Sequence, residues 1–200
     1  MTLQVDFKSN HVVDALVNAL GPEGRRAANS VAASAIKNAV QRHIRSYMRT
    51  KHGTAGRLGA RPTGHYKKGA AAISWSADQR GGEVRIPIPG IARAWGDISI
   101  RPGPGKSALT LPVAAIAYGR TVAEVRALGW TVFRPRGKDY LMGAKNGEEN
   151  TVLYTLKGGV VQRRDPSLLP TMDEIADTGA SAIVEHAMRA MAKARAGGLR

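Results

Sequence analysis

The spacing of apolar residues divides the chain into a helical front, a strand-rich middle and a helical end. Val12, Val13, Leu16, Val17 and Leu20 recur at helical intervals behind Ser9 and Asn10, either of which can cap a helix, and Gly21 suits its end. A second helix is predicted from Pro22, tolerated in a first turn, with Glu23 near the positive pole, and it runs to about Met48 or Thr50. At about 100° per residue, Ile36, Val40, Ile44 and Tyr47 share one side of this helix. Arg42, Arg45 and Arg49 gather on the opposite side. The apolar side is expected to pack inward and the arginine ridge to face outward. From 50 to 69 the periodicity stops. Gly53, Gly56, Gly59, Pro62 and Gly64 alternate there with basic residues, which reads as a mobile basic loop.

Beyond the loop, short β-branched or alternating runs bounded by Gly and Pro predict strands at 72–77, 83–88, 97–101, 108–111, 130–133, 140–142, 151–156 and 159–163. Glu83-Val84-Arg85-Ile86 and Asp97-Ile98-Ser99-Ile100-Arg101 alternate cleanly, so each is expected to have one buried and one wet face. A short helix is predicted over 121–128, and turns at 134–138 and 145–150. Pro170 introduces the last helix, 170–196. Thr171 and Glu174 form a Thr-x-x-Glu capping box, Asp173 and Asp177 lie in the first turns, and Arg189, Lys193 and Arg195 lie toward the negative pole. Ile175, Gly179, Ile183 and Ala187 make its apolar stripe, and Gly197-Gly198 ends it. The order predicts a single α+β domain over 1–200, a mainly antiparallel β-sheet packed against N-terminal and C-terminal helices, with extended loops.

Composition sharpens this picture. The content is 43% hydrophobic but only 5% aromatic, so helices are expected to pack closely through small side chains. With no cysteine, disulfides and thiolate metal sites are excluded. The N-terminal residues lack the basic and apolar regions of a signal peptide, and no apolar run approaches the roughly 20 residues that cross a bilayer, so no membrane partner is expected.

Charge changes the picture most. The net charge is +15, and between Glu23 and Asp78 there are eleven Lys or Arg residues and no acid. The intrahelical i,i+4 ion pairs that usually neutralise a basic helix face therefore cannot form on the second helix. Such a block repels itself unless an anionic partner lies near it. Arg42, Arg45, Arg49, Lys51, Arg57, Arg61, Lys67 and Lys68 are the candidate partner- or DNA-facing residues. Only Tyr47 and Tyr66 stand near enough to stack on bases, which argues against sequence-specific single-strand recognition.

Candidate chemistry is sparse. Gly103-Pro104-Gly105-Lys106-Ser107 is similar to the end of a phosphate-binding loop, but Ile100 stands where the pattern needs glycine, so a hairpin turn is expected. His11, His43, His52, His65 and His186 show no metal-ligand spacing, and Asp173, Glu174 and Asp177 are explained by a capped helix start. No catalytic residue, cofactor or metal is expected. Trp75, Trp95 and Trp130 are expected to anchor the core or an interface.

One further pattern runs through 60–195. Arg61-Pro62-Thr63-Gly64-His65-Tyr66 is followed by Pro89-Gly90-Ile91-Ala92-Arg93, Gly96 and Ile98, then by Arg101-Pro102, Lys106 and Leu109-Thr110-Leu111-Pro112. Ala117-Tyr118-Gly119 and Asp165-Pro166-Ser167-Leu168-Leu169-Pro170 complete it. In order and spacing this resembles the virion-morphogenesis and tail-completion proteins of tailed bacteriophages, especially Mu-like ones. Where that family leads one to expect a glycine pair, this chain has Gly96-Asp97. The resemblance implies a non-enzymatic structural protein of the virion, assembled in the host cytoplasm as a homo-oligomeric ring at the head–tail junction or tail end. Its implied partners are copies of itself and the neighbouring connector and tail proteins, with packaged DNA as a further candidate. The alternative reading of the same basic residues is a general nucleic-acid-binding protein. A hydrolase acting on an anionic substrate ranks third.

Overall fold

The computed structural model describes residues 3–4, 21–51 and 53–197, with side chains for 21–49 and 53–193. The first predicted helix, 9–20, lies outside the described residues. The fold is α+β. Its helices are α1 (Gly21–Lys51), α2 (Thr54–Arg57), α3 (His65–Ala71), α4 (Val122–Ala127) and α5 (Met172–Gly197). Its strands are β1 (Leu3–Gln4), β2 (Ser74–Ala77), β3 (Gly82–Arg85), β4 (Ile98–Ile100), β5 (Leu109–Pro112), β6 (Thr131–Phe133), β7 (Tyr140–Ala144), β8 (Thr151–Lys157) and β9 (Val160–Gln162). Where one sheet was expected there are three, ordered β1-β3-β2, β4-β9 and β5-β8-β7-β6, and every pairing is antiparallel.

The chain forms two compact units. The second comprises residues 49–65 and 95–164, and the first gathers the described residues on either side of those segments. The first unit is built around α1. Ile36, Val40, Ile44 and Tyr47 are buried as the helical spacing requires, and they meet Val84 of β3, Ile86, Ile88, Leu168, Leu169 and Ile175 of α5 in one core. The alternation begun at Glu83 continues past the end of β3, because Val84, Ile86 and Ile88 are buried while Arg85 and Pro87 are exposed. Nearer its start, α1 buries Ala28 and Ala32 against Ile183 of α5, with Ala180 and Val184 beside them. Small side chains on both helices permit that close approach, as the low aromatic content suggested. The stripe Ile175, Gly179, Ile183 and Ala187 of α5 is buried throughout.

The second unit has its core where Ala117, Val125, Val132, Leu153 and Tyr154 meet, with Trp130 and Leu141 packed against them. Capping box Thr121/Glu124 starts α4, which supplies Val125. The Tyr154 hydroxyl donates to the Arg120 carbonyl at 3.0 Å. Strand β4 keeps Ser99 on an exposed face as expected, but the opposite face is not buried: Ile98 is half-buried and Ile100 is 37% exposed. It lies in a two-stranded sheet with β9, which leaves its apolar side chains without a broad face to pack on. Gly103–Gly105 does form a turn, with Lys106 N–H donating to the Gly103 carbonyl. It is not a hairpin, since β4 and β5 belong to different sheets.

Candidate partner-binding surface

Helix α1 carries Arg42, Arg45 and Arg49 at spacings of three and four, so they form one ridge, and all three are exposed. Among the described residues none of them has an ion pair or side-chain hydrogen bond. Lys67 and Lys68 are exposed on α3, and Arg57 and Arg61 are exposed on and just after α2. Lys51 ends α1, and its side chain lies outside the described residues.

Among the described residues of the expected mobile loop, 50–69, short helices and turns are closed by local hydrogen bonds. Helix α1 continues to Lys51, α2 buries Ala55, and α3 begins at His65. Ala60 N–H bonds the Ala55 carbonyl at 2.8 Å and Gly59 N–H the Gly56 carbonyl at 3.1 Å. Gly59 and Gly64 adopt left-handed φ values of 63° and 69°. The glycines that removed periodicity from this segment are therefore helix ends and turns rather than a flexible linker.

Segment 59–61 and segment 115–120 line a cleft of about 400 Å³ in the second unit. Arg61 and Arg120 both border it, together with Gly59, Ala60, Ile116 and Tyr118. Arg120 is aimed by one bond, its Nη1 donating to the Ile116 carbonyl at 2.8 Å. Gly119 brings the two segments together: its φ is +71°, and a Cβ added there would run into Cγ2 of Thr63. Sequence reasoning singled out Arg61 but missed Arg120, which is isolated in sequence from the acid-free block.

Sequence reasoning also missed a polar brace in the first unit. Tyr47 donates to Oδ2 of Asp165 at 2.7 Å, and Arg93 Nη2 donates to the hydroxyls of Tyr47 at 2.6 Å and Tyr66 at 3.2 Å. The two tyrosine rings meet edge to face with centroids 5.7 Å apart. Asp165 also accepts from the hydroxyl and backbone N–H of Ser167 at 2.6 and 3.1 Å. The Ser167 hydroxyl first, and the Tyr47 hydroxyl next, hold the Asp165 carboxyl below its usual range. Burial, followed by that bond to Asp165, pushes the Tyr47 phenol up to about 12. Arg93 and Asp165 stand 3.7 Å apart, an ion pair shielded by the tyrosines. Tyr66, Arg93 and Asp165 all fall in the segments that carry the phage resemblance, so those segments contribute to bracing the first unit.

Glu174 closes the capping box at the start of α5. Glu174 accepts from the Thr171 N–H at 2.8 Å in its capping box, and these bonds lower its pKa. No cluster of three potential metal ligands occurs among the described residues, and none of their helices is long and apolar enough to cross a membrane. Of the tryptophans, Trp130 packs against a core, whereas Trp75 and Trp95 are 40% and 39% exposed. As core anchors those two are corrected. Trp75 lies on a strand whose first three residues are all exposed. No protein-family model, curated protein or solved structure matches the chain.

Proposed function

We propose that this chain is a structural protein of a tailed-phage virion, forming a homo-oligomeric ring at the head–tail junction or tail end and helping to join tail to head. The observation that carries this reading is the bare arginine ridge of α1. Three exposed guanidinium groups on one helix face, none of them in an ion pair or side-chain hydrogen bond among the described residues, suit an anionic partner surface rather than a solvated helix. Exposed Trp75, Trp95 and Phe133 support it, because large apolar side chains left at a surface suit burial between subunits. In this reading the protein binds and does no chemistry. Its neighbours are other copies, connector and tail proteins, and packaged DNA where the ridge faces the channel.

The deciding experiment is genetic and structural. Particles made without the protein should lack joined tails, and the protein should be found in purified wild-type virions at a fixed stoichiometry. Its absence from virions would remove the proposal. The same ridge also suits a general nucleic-acid-binding protein. That reading would gain if the purified protein bound bare duplex DNA with a steep salt dependence and played no part in particles.

A further inference from the structure

We infer that the Arg61/Arg120 cleft is a carboxylate-binding site, and that its occupant is the Glu148–Glu149 hairpin tip of a second copy of this chain. The inference rests on the self-assembly part of the proposed function, but not on what the arginine ridge of α1 contacts. Two guanidinium groups border one concave space, and each offers several N–H donors in a planar fork that matches a carboxylate. Arg61 makes no side-chain bond among the described residues, and Arg120 spends one nitrogen on the Ile116 carbonyl. Glu124, whose carboxyl is held low first by the backbone and hydroxyl bonds from Thr121 and only lastly by nearby Arg120, is committed to that cap and makes no ion pair with Arg120. A volume of about 400 Å³ is near the lower end of ordinary ligand sites, enough for a pair of side chains rather than a large cofactor.

The choice of occupant follows from how the chain uses its few acids. Asp97 holds the Arg164 N–H, Asp139 pairs with Arg134, Glu185 pairs with Arg189, and Glu124 and Glu174 close capping boxes. Glu148 and Glu149 are adjacent, exposed and without a side-chain partner among the described residues, whereas the other unpartnered acids, Glu23, Asp173 and Asp177, stand near helix starts, where the helix dipole favours them. They are also presented on a stiff support. The turn between β7 and β8 places Asn146 at φ 53° and Gly147 at φ 82°, and Glu148 N–H closes it onto the Lys145 carbonyl at 3.0 Å. Two successive left-handed residues close a tight turn at the start of the six-residue connection 145–150, which fixes the backbone where Glu148 begins the return to β8. In a chain of net charge +15, an unneutralised acid pair and an unneutralised arginine pair are complementary surfaces.

Because the chain has no cysteine, the contact can be read by single engineered thiols. One population would carry Ala115→Cys at the cleft and another Asn150→Cys at the tip, both exposed positions. On mild oxidation of the mixture, disulfide-linked pairs should form about tenfold faster than with Lys106→Cys replacing Ala115→Cys, since the bond needs Cα atoms within roughly 7 Å. Adding Glu148→Gln and Glu149→Gln to the tip population should bring the rate down to the control. A cleft-pair rate equal to the control, or one indifferent to the Gln substitutions, overturns the inference. If Arg61→Ala/Arg120→Ala instead abolishes binding of a short DNA duplex while the cleft pair links no faster than control, the cleft serves nucleic acid. Incorporation into virions is measured separately, so loss of this contact and loss of the phage reading remain distinguishable.

Discussion

Tyr47 and Asp165 are 118 positions apart in sequence, yet the phenol of one donates to the carboxylate of the other at 2.7 Å. The bond ties the core-facing side of α1 to the segment that leads into α5. Replacing Tyr47 with Phe keeps the ring but leaves Arg93 and Asp165 each short of a partner. A loss of about 1–2 kcal/mol is expected in urea unfolding, with the native fold retained. Tyr47→Phe unfolding at the wild-type urea midpoint would show that the brace does not stabilise the unit.

Asp165 also sets an acid limit. Its folded pKa lies below the ordinary 3.8, so it binds protons less readily in the folded than in the unfolded state. Its stabilising contribution is present above that ordinary value and is lost as pH falls through the lower folded value. Asp165→Asn should therefore flatten the acid limb of the stability curve, while lowering stability modestly at neutral pH. Tyr47 acts in the opposite direction. Its folded value of about 12 lies above the ordinary 10.0, so its contribution is full below 10 and declines as pH rises toward 12. The check is a pair of thermal-melt series against pH, acid and alkaline, for the wild type, Asp165→Asn and Tyr47→Phe.

Gly119→Ala combines an unfavourable left-handed conformation with a collision against Thr63. A destabilisation of about 1–3 kcal/mol is expected. Thr63→Ser in the same chain removes Cγ2, so it should recover the steric share and leave the conformational share. Full recovery in the double variant, measured by urea midpoint, would show that the backbone conformation costs nothing.

Reversal of Arg42, Arg45 and Arg49 together to Glu should leave the melting temperature nearly unchanged, because exposed charges matter by under about 0.5 kcal/mol each. It should still abolish infectious tailed particles. A large drop in melting temperature would show that the ridge is needed for folding.

Substituting Glu174, Asp177 or His186 should leave particle assembly intact wherever the chain folds. Glu174→Ala should lower the melting temperature slightly through its lost half of the capping box. A folded variant that stops assembly by removing a measurable turnover would establish an enzyme instead.

Local signals made much of the fold legible. All eight predicted strands are present, and the buried stripes of α1 and α5 follow from helical spacing alone. The Thr-x-x-Glu pattern located α5, and the same pattern at Thr121 marks α4. What was hidden depended on long-range partners. Strand runs do not reveal which strand each will pair with, so three sheets looked like one. Short helices such as α2 have too few residues to display a period. Arg120 enters a site only because Gly119 allows its segment against Thr63, and the Tyr47–Arg93–Asp165 brace joins residues whose sequence neighbours give no hint of contact.

The core of the first unit has an order of manufacture built into it. Ile36, Val40 and Ile44 leave the ribosome more than a hundred residues before Leu168, Leu169 and Ile175, which complete their core. Between them lies the whole segment 95–164, which belongs to the other unit. A nascent chain therefore carries an unfinished apolar helix face while that whole segment is made. Truncation before residue 165 removes the closing side of that core, so interrupted translation yields a sticky fragment rather than a smaller working subunit.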